Sequence, residues 1–316
     1  MIQPADPDNH KVQENIDAKT RDLVGNLSLD GSVAEDALRE WFEMFPESLY
    51  RLTAAGLTHK AELSVHRLLA ADRECSQNLC NTDLIDTPAA VKLARSLILL
   101  DSRLDKRLAQ AAIDWAAKSN HKPLRRCLDI LAAMTPLPGI SDALVQLLKS
   151  VDGAPRSKVV DILVRSSTDE ASIRKWLRDP DPRVRANVLE SLVETGGEMD
   201  WIRQLLVEHL HDPHWRVAAN AALGLCRRGV EETGLARLFE MASSEEPNVR
   251  CSSAWAMGRV AGAKVFPVLD KLRKDPDSRV RWNALRSLSR IHRAGMKQGS
   301  PAEQAKTPVA ELAATG

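Results

Sequence analysis

The sequence predicts an all-α fold, a right-handed α-solenoid of stacked antiparallel helix pairs. Three observations carry that reading: a short motif recurs four times, each copy opens an amphipathic helix, and no segment alternates like a β-strand. The copies read Asp179-Pro180-Asp181-Pro182-Arg183-Val184-Arg185, Asp212-Pro213-His214-Trp215-Arg216-Val217, Glu246-Pro247-Asn248-Val249-Arg250 and Asp275-Pro276-Asp277-Ser278-Arg279-Val280-Arg281. Their valines (184, 217, 249 and 280) stand 33, 32 and 31 residues apart. A period of that size marks an array in which each unit buries its apolar face against its neighbours alone.

Taken in order, residues 1–30 are polar, rich in Asp, Asn and Lys, and are expected to form a flexible N-terminal segment. Residues 31–100 read as an N-terminal helical cap. The stretch 33–72 carries Trp41, Phe42, Phe45, Leu49 and Leu68 without the motif, and 89–100 has the pattern of an amphipathic helix. Terminal units of a solenoid depart from the repeat because one of their faces meets water. The solenoid is expected over 101–293. Degenerate units can be followed at 124–131 and 158–163, 104–115 has the pattern of an amphipathic helix of similar length, and the clearest repeats span 178–293. Residues 294–316 hold Gly, Ser, Pro, Ala and Gln without apolar period, the composition of a disordered tail.

Each clear repeat shows why its helices form. Between Pro182 and Glu194 apolar residues fall at Val184, Val188, Leu189, Leu192 and Val193, steps of three and four that make one stripe. Asp179 or Asp181 can cap the free amides, and a proline suits the first turn. The same register gives Val217, Ala221 and Leu225, then Val249, Ser253 and Met257, then Val280, Ala284 and Leu288. A partner helix precedes each: Trp201, Ile202, Leu205 and Leu206 mark one, Leu235, Leu238 and Phe239 another, Val265, Phe266 and Leu269 a third. Gly196-Gly197, Gly229 and Gly262 stand in the turns, where a helix can end in the left-handed conformation.

The pattern Asp-Pro-x-x-Arg-Val-Arg-x-x-Ala-x-x-x-Leu resembles HEAT repeats, in particular the short bacterial type named after phycobilin lyases and related to other armadillo-like helical arrays. The resemblance is strong over 178–293. It implies that the second helix of each unit lines the concave side. It also implies that the arginine after the valine (Arg185, Arg250 and Arg281) reaches an acidic residue of an adjacent repeat. In the second repeat that position is Ala218, so the ladder is expected to break there.

Composition narrows the function. Lys+Arg 44 against Asp+Glu 43 leaves a net charge of +1, which disfavours a nucleic-acid coat protein while leaving room for a local basic patch. Five scattered cysteines (Cys75, Cys80, Cys127, Cys226 and Cys251) do not form a secreted disulfide framework. No basic-then-apolar leader and no membrane-length apolar run is visible. The expectation is a bacterial cytoplasmic protein with no membrane association.

Beside the buried stripe runs a second one, at one residue before the valine and three, six and ten after it. It contains Arg183 and Asn187, Arg216, Asn220 and Arg227, Trp255 and Arg259, and Arg279, Asn283, Arg286 and Arg290. Glu190 and Glu194 are its acidic members, in the least basic repeat. A solvated polar face is one reading of this stripe. The other is an arginine-rich groove that takes an acidic or extended protein, because arginine and tryptophan dominate interface energetics and guanidinium groups fork onto carboxylate or phosphate.

The cluster Glu208-His209-Leu210-His211-Asp212-Pro213-His214 is the one place that imitates a metal site. Yet His209 and His211 would diverge by about 200° on a helix, so no metal is expected. HEAT-like hydroxylases bind iron through His-Glu pairs, and no His-Glu dipeptide occurs in this chain. HEAT-like alkylpurine DNA glycosylases use an Asp in the groove, and none aligns here. No nucleotide loop, HExxH or nucleophile elbow is present. The resulting expectation is a non-catalytic protein-interaction scaffold or adaptor without cofactor. The alternative is a nucleic-acid-binding HEAT-like protein of the glycosylase kind, with a HEAT-like lyase or hydroxylase activity ranking last.

Overall fold

The computed structural model of the protein describes residues 7–27, 31–55, 59–166, 169–195, 200–260 and 263–298. Among them every regular element is helical: eighteen α-helices and two single-turn 3-10 segments. None of these helices is long and apolar enough to cross a membrane. The chain divides into two compact units, between Arg174 and Lys175.

The N-terminal unit contains α1 (Pro7–Asn26), α2 (Gly31–Met44), α3 (Pro46–Ala55), α4 (His59–Ala71), α5 (Cys75–Cys80), α6 (Thr87–Leu97), α7 (Leu104–Ala117), α8 (His121–Met134), α9 (Ser141–Leu147) and α10 (Gly153–Ser166). The unit boundary falls within α11 (Glu170–Trp176). Helix α8 is its centre, packed against α6, α7 and α10, with Leu124, Cys127, Leu128, Ile130 and Leu131 buried. Helix α6 starts where it does because the Asp86 carboxylate accepts the Ala89 N–H at 2.7 Å beside a proline in the first turn.

One expectation is corrected here. The segment read as flexible over 1–30 is helical over Pro7–Asn26. Its apolar content is sparse but spaced by four: Ile16, Thr20 and Val24 share a face, and the last two are buried. Trp41 of α2 donates its indole N–H to Thr20 Oγ1 at 2.9 Å, and Arg51 of α3 reaches Asp17 at 3.2 Å. Packing against α2 and α3 overrides a composition that by itself suggests disorder.

A buried polar network ties α3, α5 and α7 together. Tyr50, fully buried, donates its hydroxyl to Asp72 Oδ2 at 2.7 Å, and Asn78 donates to the same oxygen at 3.1 Å. Arg107 donates to the Asp72 carbonyl at 2.7 Å and pairs with Asp101. Burial pushes the Tyr50 hydroxyl far above its ordinary value, with Cys75 and the Asp72 carboxylate adding to the effect, so it stays a donor. Burial likewise takes the Cys75 thiol to about 12.

The C-terminal unit holds the clear repeats: α12 (Pro182–Thr195), α13 (Asp200–Glu208), α14 (Trp215–Arg227), α15 (Glu231–Ala242), α16 (Pro247–Met257), α17 (Phe266–Leu272) and α18 (Ser278–Gln298). The second helices α12, α14, α16 and α18 pack each on the next, while α13, α15 and α17 cover them from the other side. Val184, Val188, Leu189, Val217, Ala221, Leu225, Val280 and Ala284 have no exposed surface. The stack therefore closes on most of the motif's apolar positions, with Val249 and Leu288 only half-buried. The expected tail is helical through Gln298; residues 299–316 lie outside the described residues, as do Gly196, Gly197 and Gly262. Gly229 has φ +80° and is followed by a Val230 N–H to Leu225 carbonyl bond at 2.9 Å, the αL termination of α14. At Gly258 the absence of a Cβ sets the distance between α16 and α18, since an added methyl would stand 2.3 Å from Ser287 Oγ.

The aspartates of the motif build the turn before α12, α14 and α18, while Ser244 Oγ accepts the Glu246 N–H at 3.2 Å before α16. Asp179 accepts the Asp181 N–H at 2.9 Å and Asp181 accepts the Arg183 N–H at 2.9 Å. Asp275 and Asp277 repeat this at 2.9 and 2.8 Å. Asp212 accepts the His214 N–H at 2.8 Å, and the His214 ring replaces the second aspartate by accepting from Arg216 at 3.3 Å.

The arginine after the valine joins neighbouring repeats. Arg185 forks onto Asp212 (Nε 3.0 Å, Nη2 2.9 Å) while its Nη1 donates to the Asp179 carbonyl at 2.9 Å. Arg250 forks onto Asp275 (2.7 and 2.8 Å) and donates to the Ser244 and Glu245 carbonyls. The rung between these two is absent at both ends, for where Arg185 and Arg250 have their counterpart stands Ala218, and where Asp212 and Asp275 have theirs stands Ser244. Removing both partners leaves no unpaired buried charge, the arrangement that would be costly.

Candidate functional site

The four second helices of the C-terminal unit also turn a polar stripe outward, because residues three and four apart share a helix face. That stripe lines a groove of about 500 Å³ bounded by Glu190, Trp215, Arg216, Asn220, Cys251, Trp255, Arg259 and Asn283. A recess of about 440 Å³ continues it along α18, lined by Trp255, Arg259, Asn283, Arg286, Ser287, Arg290 and Arg293. Trp255, Arg259 and Asn283 border both.

Arg259 lies on the Trp255 ring, its guanidinium carbon 3.9 Å from the ring centroid, and donates to the Trp255 carbonyl at 3.1 Å. The spacing of four makes this a neighbouring pair on one helix face. Trp282 and Arg286 repeat it on α18 at 5.1 Å. Burial holds the Arg259 guanidinium below its ordinary value; Arg290, Arg227 and Arg286 push the same way, and Glu190 opposes them. The groove thus gathers like charges around a partly desolvated cation.

The stripe residues divide by what they touch. Arg216, Asn220, Trp255, Arg259 and Asn283 line the groove, Arg227 borders it beside Glu190 and Glu194, and Arg286 and Arg290 line the recess. Arg183, Asn187 and Arg279 are not among the lining residues. Arg183 and Arg279 turn back to Asp181 and Asp277, and Asn187 accepts from Arg216 at 3.4 Å. Asn220 serves the stack, donating to the Ala186 carbonyl of the preceding repeat at 2.8 Å, whereas Asn283 bonds back within α18 to the Arg279 carbonyl at 2.9 Å. Ser287, Cys251 and Arg293 line the cavities and were not singled out by the motif. Arg293 was legible, lying three residues beyond Arg290, whereas Ser287 belongs to the α16–α18 contact through its 2.8 Å bond to the Ala254 carbonyl.

The histidine cluster is held by local bonds. His209 Nδ1 sits 2.9 Å from the Leu205 carbonyl, and His214 stacks on Trp215 at 4.7 Å. Burial, with Arg185 and Arg216 acting alongside it, lowers the His214 pKa against the pull of Asp212 and Asp181. Among the described residues no three His, Cys, Asp or Glu side chains are grouped as metal ligands would be. Tyr50 and Cys75 belong to the N-terminal unit's core, and Asp72 beside them is half-buried; none of the three lines the groove or the recess.

Residues 202–289 match the family model described as HEAT repeats. No curated protein matches the sequence significantly. Among solved structures, the chain is similar to Kap121p (12% identity, TM-score 0.43), covering 92% of this chain and 39% of that one. It is also similar to YibA of E. coli (14% identity, TM-score 0.36), covering 93% and 99% of the two chains, and to an engineered protein (17% identity, TM-score 0.32), covering 87% and 84%. The chain therefore spans well under half the length of Kap121p. Together with the motif, the helical hairpins and the arginine–aspartate rungs, the match identifies residues 202–289 as HEAT-like repeats.

Proposed function

We propose that the protein is a non-catalytic interaction scaffold whose C-terminal unit holds an acidic or extended protein segment in the arginine-lined groove. One observation carries the reading: Arg259 lies flat on Trp255 with Arg227, Arg286 and Arg290 near enough to perturb it, beside a groove of about 500 Å³. An aromatic platform beside several guanidinium groups is the composition of an interface centre. The reading includes no catalytic residue, cofactor or metal, and places the protein in the cytoplasm.

The test is Arg227→Glu/Arg286→Glu/Arg290→Glu in the full chain. These side chains are exposed, so the helical content measured by circular dichroism is expected to stay unchanged while partners captured by the wild type are lost. Recovery of the same partners by the triple variant would overturn the groove. A salt-sensitive shift of DNA or RNA by the wild type, abolished in the variant, would favour the glycosylase-like reading instead, for which Trp255 and the arginines are the supporting residues.

A further inference from the structure

Most arginines of the C-terminal unit are committed to the fold. Arg185 and Arg250 close the rungs, Arg183 and Arg279 return to their own turns, and Arg237 donates to the Leu210 carbonyl at 3.0 Å. Arg227, Arg286 and Arg290 differ: none has an ion pair or hydrogen bond among the described residues. Among the described residues no carboxylate lines the recess beside Arg286 and Arg290. Like charges gathered next to a desolvated guanidinium repel one another, and nothing in the stack is gained from it.

Towards α12 the polarity of the groove inverts. Glu190 supplies a carboxylate, and Asn220 supplies an acceptor. Asn220 is 2% exposed, its amide N–H is spent on Ala186, and its Oδ1 has no donor among the described residues. A buried acceptor left without a donor is unfavourable, and an N–H brought by a ligand would satisfy it.

We propose that the groove takes an extended protein segment carrying a phosphorylated side chain. Its dianion sits among Arg259, Arg286 and Arg290, and its main-chain N–H groups lie towards Asn220 and Glu190. The proposal rests on the protein-partner reading above and specifies that partner's chemistry. A single carboxylate neutralises one guanidinium and leaves the rest unpaired. A phosphomonoester brings a charge of about −1.5 to −2 and three acceptor oxygens, a better match to several planar forks. Single-stranded DNA fits less well, since its evenly spaced phosphates would also run past Glu190 and Glu194, and its backbone offers no donor to Asn220.

Three degenerate peptide libraries, identical except for a central phosphoserine, serine or glutamate, are passed over the immobilised full-length protein. The phosphoserine library is expected to be retained about tenfold or more above the other two. Arg286→Gln/Arg290→Gln should erase that difference. Arg273→Gln, whose partner is Asp270 outside the groove, should preserve it. Equal retention of the three libraries overturns the proposal. So does displacement of bound phosphopeptides by single-stranded DNA with a steeper salt dependence, in favour of a nucleic-acid ligand. If the libraries are retained equally while the triple glutamate variant still loses its cellular partners, the phosphate is refuted and the protein-binding groove stands.

Discussion

Breaking the rung between Arg250 and Asp275 tests whether the arginine after the valine is a structural device. The two side chains are 12% and 6% exposed and joined by two bonds of 2.7 and 2.8 Å. Exposed pairs contribute about 0–1 kcal/mol, while removing one partner of a fully buried pair costs about 3–5 kcal/mol. This rung lies between, because Arg250 is also satisfied by two carbonyls and Asp275 by the Asp277 N–H. A coupling of about 2 kcal/mol follows from two charge-assisted bonds largely screened from water. At 1.4 kcal/mol per tenfold, that amounts to roughly 30-fold faster local opening. The assay is a double-mutant cycle of Arg250→Ala and Asp275→Ala, read by amide hydrogen exchange at the starts of α16 and α18. The cycle has a pH signature. Hydrogen bonding from Arg250 holds the Asp275 carboxyl below its ordinary value, with burial opposing. The coupling is therefore complete above the unfolded-state value of about 3.9 and vanishes as pH falls through the lower folded-state value. Additive single mutants at neutral pH, or a coupling indifferent to acid, would refute the rung.

Two further outcomes are expected in the same unit. Gly258→Ala puts a methyl 2.3 Å from Ser287 Oγ and 2.8 Å from its Cα, so α16 and α18 must part. Thermal unfolding should show a loss of about 1–3 kcal/mol, outweighing the roughly 1 kcal/mol that alanine gains over glycine in a helix. Restoring the missing rung with Ala218→Arg/Ser244→Asp should give a favourable cycle coupling of about 1–2 kcal/mol, with each single change neutral or destabilising; chemical denaturation of the four proteins measures it.

The repeat period, the helix faces and the turn-building aspartates were legible in the sequence because each is local. A valine every 31 to 33 residues, an apolar step of three or four and an Asp two residues before the N–H it accepts all act within one unit or between units of identical design. Even the broken rung could be read from Ala218. Helix α1 could not, since only the neighbouring Trp41 and Arg51 make its sparse face worth ordering. The stripe, too, was legible as a list of positions but not as a site. Folding divided it, sending Arg183 and Arg279 back to their own aspartates, turning Asn220 inward against Ala186, and leaving Arg259 on Trp255 with Arg227, Arg286 and Arg290 unpaired around the groove. Periodicity assigns a residue to a face. Which side chains on that face are satisfied depends on distances between repeats, and those are set only when the helices pack.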